Sequence, residues 1–281
     1  MISTGGEITF LISGLIAMNK KYLLDDKNLK NIKAVINDAE KVLLFLDYDG
    51  TLAPFKADPL SAAALPDSEK SLKKLEQDPK FYLNLVSGRK LSELKKMIDI
   101  NKAGYAGSHG LEIDLPFKKE IIYPQESEEI DVMSKKNYQK VKEKYRESDL
   151  AELEDKGFGL ALHFDLESEQ KKVVSELQSL FENSAYQLLS GRKVIEIRPR
   201  GWDKGKAVNY ISDQIRENQE TDKFLRIYIG DDRTDEDAFK VLKDGISIYV
   251  QNEGDLNTEA EYYLKNPEDT AKLLKKLAGE A

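Results

Sequence analysis

Residues 42–52 read VLLFLDYDGTL, and the rest of the chain is organised around this stretch. Its five consecutive apolar residues predict a strand that is buried on both faces, as at the centre of a parallel sheet. The strand ends at two carboxylates, Asp47 and Asp49, and Gly50 then allows a sharp turn of the backbone. Because ligands of open α/β sheets bind at the carboxyl ends of the strands, these carboxylates are candidates for chemistry.

Two other structures could contain the same residues. One is an ordinary acidic turn at the surface. The other is a calcium-binding loop, which needs a third oxygen ligand before its glycine and a helix on each side. Here the glycine comes one ligand too early and an apolar strand precedes it. The stretch alone therefore favours a functional strand end over a calcium loop.

Composition limits the kind of protein that the chain can be. Its 281 residues suit one large α/β unit or two unequal domains, and we predict two. It has no cysteine, which excludes disulfides and thiolate metal sites and favours the reducing cytoplasm. With only two histidines, any metal is expected to be a hard cation held by oxygen.

The charge of the chain argues against a nucleic-acid partner. Charged residues make up 33% of the sequence and the formal net charge is −8, whereas nucleic-acid surfaces are basic. The apolar run at residues 8–18 is too short to span a bilayer and lacks the cationic start of a signal peptide. We expect a small-molecule partner, no membrane association and a monomer.

Apolar runs alternate with amphipathic stretches over two parts of the chain, which predicts a parallel sheet. Strands are predicted at 42–46, 81–86, 224–229 and 246–250, and helices at 28–40, 68–77, 91–98 and 204–218. A last helix is expected to begin at Asn266 and Pro267, which are a capping residue and a first-turn proline.

The pattern between these two parts is different. A β-hairpin is predicted at 111–123, helices at 128–146 and 168–182, and strands at 158–164, 185–189 and 193–198. Strand pairs with helices on one face describe a separate α+β domain inserted into the first. The predicted limits are an N-terminal extension at 1–27, a first core part at 28–110, the inserted domain at 111–200 and a second core part at 201–281.

Polar groups follow three of the predicted core strands. They are Asp47 with Asp49, then Ser87, then Asp231 with Asp232 and Asp235. Parallel strands present the same edge, so these groups are expected to converge. Clustered carboxylates repel each other unless a cation neutralises them, and oxygen ligands of this kind suit Mg²⁺.

A phosphate group would complete such a magnesium site. Magnesium ions held by one or two carboxylates usually bind water and phosphate oxygens as well. Ser87 precedes a helix, whose first N–H groups favour an anion, and Lys204 in the first turn of another helix can add a positive charge. Without its neighbours Asp203 and Gly205, Lys204 could equally be a solvated surface lysine.

Together these residues resemble the four motifs of the haloacid dehalogenase-like phosphatases: DYDGTL at 47–52, SGR at 87–89, Lys204, and GDDxxD at 230–235. A narrower set resembles the trehalose-6-phosphate phosphatase family: GxHGxE at 107–112, EDKG at 154–157, ALH at 161–163, ExRP at 196–199 and DKG at 203–205. The resemblance covers residues 42–275 and implies an α/β fold, in which a Rossmann-like parallel-sheet core carries an inserted α+β cap domain.

The resemblance also implies roles for the core residues. Asp47 would attack phosphorus to form an aspartyl phosphate, and Asp49 would protonate the leaving sugar oxygen and then activate water. Ser87 and Lys204 would hold phosphate oxygens. Further substrate contacts would come from Thr51, Arg89 and His109. The implied ligands of Mg²⁺ are Asp47, Asp49, Asp231 and Asp235.

In the inserted domain, the resemblance implies that Glu154, Lys156, Glu196 and Arg198 bind the sugar, whereas we assign His163 a structural role. Asp165 stands where members of the family commonly carry arginine. The expected activity is Mg²⁺-dependent hydrolysis of trehalose 6-phosphate in trehalose biosynthesis. The alternatives are a phosphatase for sucrose 6-phosphate or a glycosyl 3-phosphoglycerate, or a sugar-phosphate sensor without catalysis. Retention of both Asp47 and Asp49 argues against a sensor.

Overall fold

The computed structural model describes residues 20–56, 61–124, 131–191, 193–219, 223–255 and 257–280. The apolar run at 8–18 lies outside them. The chain divides into two compact units, the first formed by Met1–Ile121 with Asp203–Ala281 and the second by Ile122–Trp202. No helix within the described ranges has the length and apolar character that crossing a bilayer requires.

The first unit contains an eight-stranded sheet. Its strands are β1 (Lys21–Tyr22), β2 (Lys41–Leu46), β3 (Phe81–Val86), β4 (Gly104–Gly107), β5 (Glu112–Asp114), β10 (Phe224–Gly230), β11 (Ile246–Val250) and β12 (Tyr262–Leu264). Their order is β1-β12-β11-β10-β2-β3-β4-β5, and every pair is parallel except β4 with β5. The parallel sheet that the sequence predicts is confirmed, with β2 near its centre.

The strand β2 is buried on both faces, as its apolar run predicts. Val42, Leu44 and Leu46 belong to the main apolar cluster of the unit, whereas Leu43 and Phe45 alternate with them and are also buried. On that second face the ring of Phe45 stacks on Tyr228 of β10, with 6.5 Å between ring centroids.

Helices of the first unit are α1 (Asp26–Asp38), α2 (Pro66–Leu75), α3 (Leu91–Met97), α6 (Lys204–Asn218), α7 (Glu236–Val241) and α8 (Pro267–Leu277). Two of their starts follow from capping residues. The side chain of Asn266 accepts a hydrogen bond from Asp269 N at the start of α8, as predicted. At the start of α6, Asp203 caps Lys206 N in the same way, which fixes the position of Lys204.

The hairpin predicted at 111–123 is not formed. Only Glu112–Asp114 makes a strand, and it pairs with Gly104–Gly107 in the first sheet instead of with residues 120–123. The reason is that an antiparallel strand can pair with any neighbour that a tight turn brings alongside. Here the turn is the 3₁₀ segment Ser108–Gly110, which lies before β5 and not after it.

The second unit is an antiparallel sheet with two helices. Its strands are β6 (Glu152–Asp155), β7 (Leu160–His163), β8 (Tyr186–Gly191) and β9 (Val194–Pro199), in the order β6-β7-β9-β8, and its helices are α4 (Val132–Tyr145) and α5 (Glu167–Phe181). Leu160, Leu162, Ile195 and Ile197 alternate along β7 and β9 and form an apolar cluster with residues of both helices. The intervening residues therefore face away from the helices.

Tyr48 lies between the two carboxylates of the first motif and anchors the loop that follows them. The side chain is completely buried, and its hydroxyl donates to Ala62 O and accepts from Ala64 N, both at 3.1 Å. A hydroxyl inside an apolar core is needed here because these two buried backbone groups would otherwise lack a partner.

We expect the Tyr48→Phe variant to lower the free energy of unfolding by about 1–3 kcal/mol, because Ala62 O and Ala64 N lose their partner without gaining water. Urea denaturation followed by circular dichroism measures this change. Tyr263→Phe, at a partly exposed position, is the control and should differ from the parent by less than about 0.5 kcal/mol. Equal stability of the two variants would contradict the anchoring role of Tyr48.

Candidate active site

The order of the sheet brings the polar strand ends together. β2 lies between β10 and β3, with Leu46 opposite Ile229 and Leu85. Asp47 continues the ladder by donating its N–H to Ile229 O at 2.9 Å. Asp47, Ser87 and Asp231 are thus consecutive along one edge of the sheet, as the sequence predicts.

Lys204 connects two of the carboxylates. It is the first residue of α6, and its side chain is only 2% exposed. Its Nζ lies 3.0 Å from Asp47 Oδ1 and 2.8 Å from Asp235 Oδ1. Gly205 allows α6 to approach this closely, because a Cβ there would lie 2.2 Å from Asp237 O. The solvated lysine considered above is therefore excluded.

The carboxylate of Asp235 is completely buried and fully hydrogen-bonded. Its Oδ1 accepts from Lys204 Nζ and from the hydroxyl of Tyr228 at 2.6 Å. Its Oδ2 accepts from the backbone amides of Asp231 at 3.0 Å and Asp232 at 2.8 Å. A carboxylate offers about four acceptor positions, so the protein itself occupies those of Asp235.

Asp231 is held more loosely than Asp235. The hydroxyl of Thr51 lies 3.4 Å from its Oδ1, and Asn252 Nδ2 donates to its Oδ2 at 3.2 Å. Asn252 also donates to Gly50 O at 3.0 Å, which joins the loops after β2 and β11. Gly50 has a φ of +70°, and a Cβ there would lie 2.1 Å from Asp231 Oδ2, so this position requires glycine.

Three carboxylates lie close enough to share a cation. One oxygen from each of Asp47, Asp231 and Asp235 lies within 4.8 Å of the other two. Burial raises the pKa of Asp47 to about 8, with Lys204 opposing and Asp235 and Asp49 adding to the rise. Burial, followed by the charges of Asp47 and Asp235, raises the pKa of Asp231 well above its ordinary value.

The charges of the cluster also shift the pKa of Lys204. Although burial opposes it, the charges of Asp235 and Asp47 raise the pKa of Lys204, so the ammonium stays protonated. One ammonium cannot neutralise three carboxylates. The donor set therefore fits a hard divalent cation, which would remove the excess negative charge.

The side chain of Asp49 points to a different partner. Arg89 Nε donates to its Oδ2 and Arg89 Nη2 to its Oδ1, both at 2.6 Å. This bidentate pair is partly exposed on the side of Asp49 and largely buried on the side of Arg89. Asp49 is predicted from the sequence to bind the metal and Arg89 the substrate, whereas in this structure the two side chains bind each other.

Ser87 and His109 belong to one tightly connected loop. Ser87 is buried, and its Oγ accepts from Arg89 N at 3.2 Å. The backbone N–H of His109 donates to Ser87 O at 2.8 Å. The imidazole packs on Gly88, where a Cβ would lie 2.8 Å from His109 Cε1. His109 is thus adjacent to the phosphate loop that the sequence predicts.

The second unit has its own polar cluster. Glu154 of β6 and Glu196 of β9 both lie opposite Ala161 of β7 in the register of the sheet. Lys156 Nζ lies 2.6 Å from Glu196 Oε1 and 4.0 Å from Glu154 Oε2. The two glutamates therefore flank a small residue on the face that the helices do not cover.

His163 lies on the same strand as Ala161 and contacts Glu154. Its Nε2 is 3.0 Å from Glu154 Oε2. Although burial acts to raise it, the bond to His163 and the charge of Lys156 hold the pKa of Glu154 below its ordinary value. Arg198 is buried on β9, two residues after Glu196, and Asp165 is exposed after β7.

Three residues at these sites have no role in the sequence analysis. Tyr228 carries the single hydroxyl group of the strand β10. A hydroxyl at a buried strand position indicates that a hydrogen-bond acceptor lies nearby, and here the acceptor is Asp235. Asn252 has a φ of +49°, and Glu112 accepts hydrogen bonds from Leu91 N and Ser108 Oγ. Nothing in the sequence near Asn252 indicates its contact with Asp231.

Comparisons of the sequence with known proteins point to one family. Residues 45–268 match the family described as Trehalose-phosphatase. Over 253 residues the chain is 34% identical to "Probable trehalose-phosphate phosphatase I" of Arabidopsis thaliana, covering 85% of this chain and 68% of the relative.

Two solved structures share the fold. The C-terminal domain of Candida albicans trehalose-6-phosphate phosphatase superposes with a TM-score of 0.79 at 23% identity, over 92% of this chain and 99% of the other. A haloacid dehalogenase-like hydrolase from Bacteroides thetaiotaomicron superposes with a TM-score of 0.59 at 17% identity, over 84% and 98%. The predicted fold class is thereby confirmed.

We expect Mg²⁺ to raise the melting temperature more at pH 8 than at pH 5. The pKa of Asp47 is about 8 in the folded protein, above the ordinary value of an aspartate. Such a group destabilises the folded protein progressively as the pH rises from the ordinary pKa to the raised pKa, because the folded state resists its ionisation. Mg²⁺ binds the ionised carboxylates and offsets this loss. At a hundredfold excess over Kd the shift at pH 8 should be roughly 5–10 °C.

Thermal unfolding in Mg²⁺ and in a chelator, at both pH values, measures this difference. Asp231→Asn should remove most of the shift caused by Mg²⁺. Asp244→Asn, which changes an exposed aspartate of the same unit, is the matched control and should keep it. The same shift at pH 5 and pH 8 would show that the buried carboxylates do not bind the ion.

Proposed function

This chain belongs to the trehalose-phosphatase family, and from that membership and the buried carboxylate–lysine cluster we propose that it hydrolyses trehalose 6-phosphate to trehalose and inorganic phosphate. This reaction would form trehalose and would therefore belong to trehalose biosynthesis. A chain without cysteine suits a reducing compartment, and we place the enzyme in the cytoplasm as a monomer.

The observation that carries the proposal is the contact of Asp47 with Lys204. A carboxylate at the end of a central strand, with an ammonium at 3.0 Å, can attack phosphorus while the ammonium receives a phosphate oxygen. A second carboxylate, Asp49, stands two residues away. These are the parts that a two-step phosphoryl transfer requires.

In the first step, an oxygen of Asp47 forms a bond to phosphorus. The bond between phosphorus and the sugar oxygen breaks, and its electron pair stays on that oxygen, which takes the proton of Asp49. The products are an aspartyl phosphate and the free sugar. Ser87 and Lys204 hold the phosphoryl oxygens while negative charge is redistributed over them.

In the second step, water attacks the same phosphorus. Asp49, now ionised, accepts the proton of this water, and the bond between phosphorus and Asp47 oxygen breaks. Inorganic phosphate leaves, and both carboxyl groups return to their initial states. One carboxyl group thus acts first as general acid and then as general base.

Arg89 links substrate binding to the availability of Asp49. In the free enzyme the guanidinium donates a hydrogen bond to each oxygen of Asp49. We propose that the substrate phosphate takes over the guanidinium, after which Asp49 can carry the proton that the leaving group needs. This assigns Arg89 to substrate binding, with Asp49 as its partner in the free enzyme.

Asp47 and Asp231 are the residues best suited to hold Mg²⁺, because the described part of the chain fills fewer acceptor positions on each of them than on Asp235. Asp235 would hold Lys204 and the backbone of Asp231 and Asp232 in place, since its four acceptor positions are already filled by hydrogen bonds. The side chain of Asp49 is directed to Arg89 and is not included among the ligands. A bound magnesium ion would neutralise the excess charge and polarise a phosphoryl oxygen.

We propose that Glu154, Lys156 and Glu196 bind the sugar hydroxyls. The support comes from their motifs and from the geometry within the second unit, where Lys156 lies between the two glutamates. Carboxylates and ammonium groups form strong charged hydrogen bonds with hydroxyls. Arg198 on the same strand as Glu196, and Thr51 and His109 in the first unit, remain proposed substrate contacts.

Phosphate release from a panel of phosphate esters tests the proposal. The panel contains trehalose 6-phosphate, sucrose 6-phosphate, a glucosyl 3-phosphoglycerate and an aryl phosphate, each with Mg²⁺ and with a chelator. We expect the highest kcat/KM for trehalose 6-phosphate, only with Mg²⁺. Preference for another sugar phosphate would assign that substrate, and binding of sugar phosphate without turnover would identify a sensor.

We expect Asp47→Asn to lower turnover by more than about 10⁴-fold without unfolding the protein, because it removes the nucleophile while keeping the side-chain volume. Asp38→Asn at an exposed helix end is the control.

We expect the Asp49→Asn variant to hydrolyse aryl phosphates, whose leaving group needs no proton, far better than trehalose 6-phosphate. Equal losses on both substrates would contradict the general-acid role of Asp49.

We expect Glu154→Ala and Glu196→Ala each to lower kcat/KM for trehalose 6-phosphate by about ten- to a hundredfold. This factor corresponds to the free energy of one hydrogen bond to a charged group. An aryl phosphate lacks the sugar hydroxyls, so its hydrolysis should change little. Glu176→Ala, an exposed glutamate in α5, is the matched control. Unchanged activity on trehalose 6-phosphate would remove these residues from sugar binding.

A further inference from the structure

One motif has no part in the proposed reaction apart from the proposed substrate contact of His109. It is GxHGxE at 107–112, whose residues form the end of β4, the 3₁₀ turn Ser108–Gly110 and the start of β5. All three residues of the turn have positive φ, which is 50° at Ser108, 59° at His109 and 93° at Gly110. Such backbone costs free energy at residues other than glycine and persists only where its surroundings hold it.

The strained turn holds the loop at residues 87–89 from one side. Ser108 N donates to Arg89 O at 2.6 Å, and His109 N donates to Ser87 O at 2.8 Å. These two bonds come from consecutive amides, whose positions depend on the left-handed backbone of the turn. The carbonyls of the two loop residues proposed to contact phosphate are therefore fixed by the turn.

Glu112 connects this turn to the helix that follows the loop. Its Oε2 accepts from Ser108 Oγ at 2.9 Å and from Leu91 N at 3.1 Å. Leu91 is the first residue of α3, so one oxygen ties together the turn and the start of the helix. The packing is close here, since a Cβ on Gly107 would lie 2.3 Å from Leu91 N.

We propose that Glu112 is a positioning residue for phosphate. It does not touch the reacting atoms; it fixes the turn and the start of α3 on the two sides of the loop that carries Ser87 and Arg89. The assignment rests on the proposed function, in which this loop binds the phosphate group. Glu112 therefore acts on the affinity for phosphate and not on recognition of the sugar.

Three variants test this assignment, with inorganic phosphate as competitive inhibitor and an aryl phosphate as substrate. Glu112→Ala removes both bonds and should raise the inhibition constant of phosphate and the KM of the aryl ester by roughly tenfold or more. Glu112→Gln should stay within about threefold of the parent, because both bonds end on one oxygen that the amide carbonyl can replace. Ser108→Ala removes one bond and should have an intermediate effect.

Asp114→Ala is the matched control. Asp114 is two residues further along β5 and also contacts α3, through a partly exposed ion pair with Lys95 at 2.6 Å. It has no link to the turn, so the inhibition constant of phosphate should not change. Melting temperatures of all variants separate a loss of phosphate affinity from a loss of folded protein.

Glu112→Ala with a lower melting temperature but the parental inhibition constant would overturn the assignment, because Glu112 would then support folding alone. If that variant does not fold, an unchanged constant in Ser108→Ala overturns it equally. Equal damage by Glu112→Gln and Glu112→Ala also contradicts it. A parent protein that neither binds phosphate nor hydrolyses any phosphate ester would overturn the proposed function and this assignment together.

Discussion

The ammonium group of Lys204 lies between the carboxylates of Asp47 and Asp235, and all three side chains are almost completely buried. Burial of charge is costly unless opposite charges and hydrogen bonds compensate for it, and here α6, β2 and the turn after β10 each supply one member. Removing Lys204 would leave two buried carboxylates without a cation. The contact therefore fixes where α6 begins relative to the sheet, and with it the geometry of the site.

Differences in surroundings support the different roles that we propose for the four carboxylates. Asp235 has all its acceptor positions filled by the protein, so it serves to orient others. Asp231 has longer contacts, with Thr51 and Asn252, and burial together with the charges of Asp47 and Asp235 raises its pKa well above the ordinary value. Divergent environments of neighbouring acids are how one fold obtains a nucleophile, an acid and a ligand from a single residue type.

Local patterns predicted the core strands, because a run such as 42–46 can be buried on both faces only inside a sheet. They also predicted that Asp47, Ser87 and Asp231 converge, since parallel strands share an edge. Contacts that depend on side-chain direction were beyond the sequence: the pairing of Asp49 with Arg89 and the bond from Asn252 to Asp231 join residues far apart in the chain. The sequence does not predict the short strands β1, β4, β6 and β12, because two to four residues are too few to show a period.

The two units differ in how much a substitution costs. In the first, removal of Asp47, Lys204 or Asp235 leaves a buried charge without its partner, so these three residues of the proposed chemistry also stabilise the fold. In the second unit, the side chains of Glu154 and Glu196 are 34% and 19% exposed. If one of them is substituted, water can solvate the charged groups that it contacted. The proposed sugar specificity can therefore change at a smaller cost in stability than the proposed phosphoryl chemistry can.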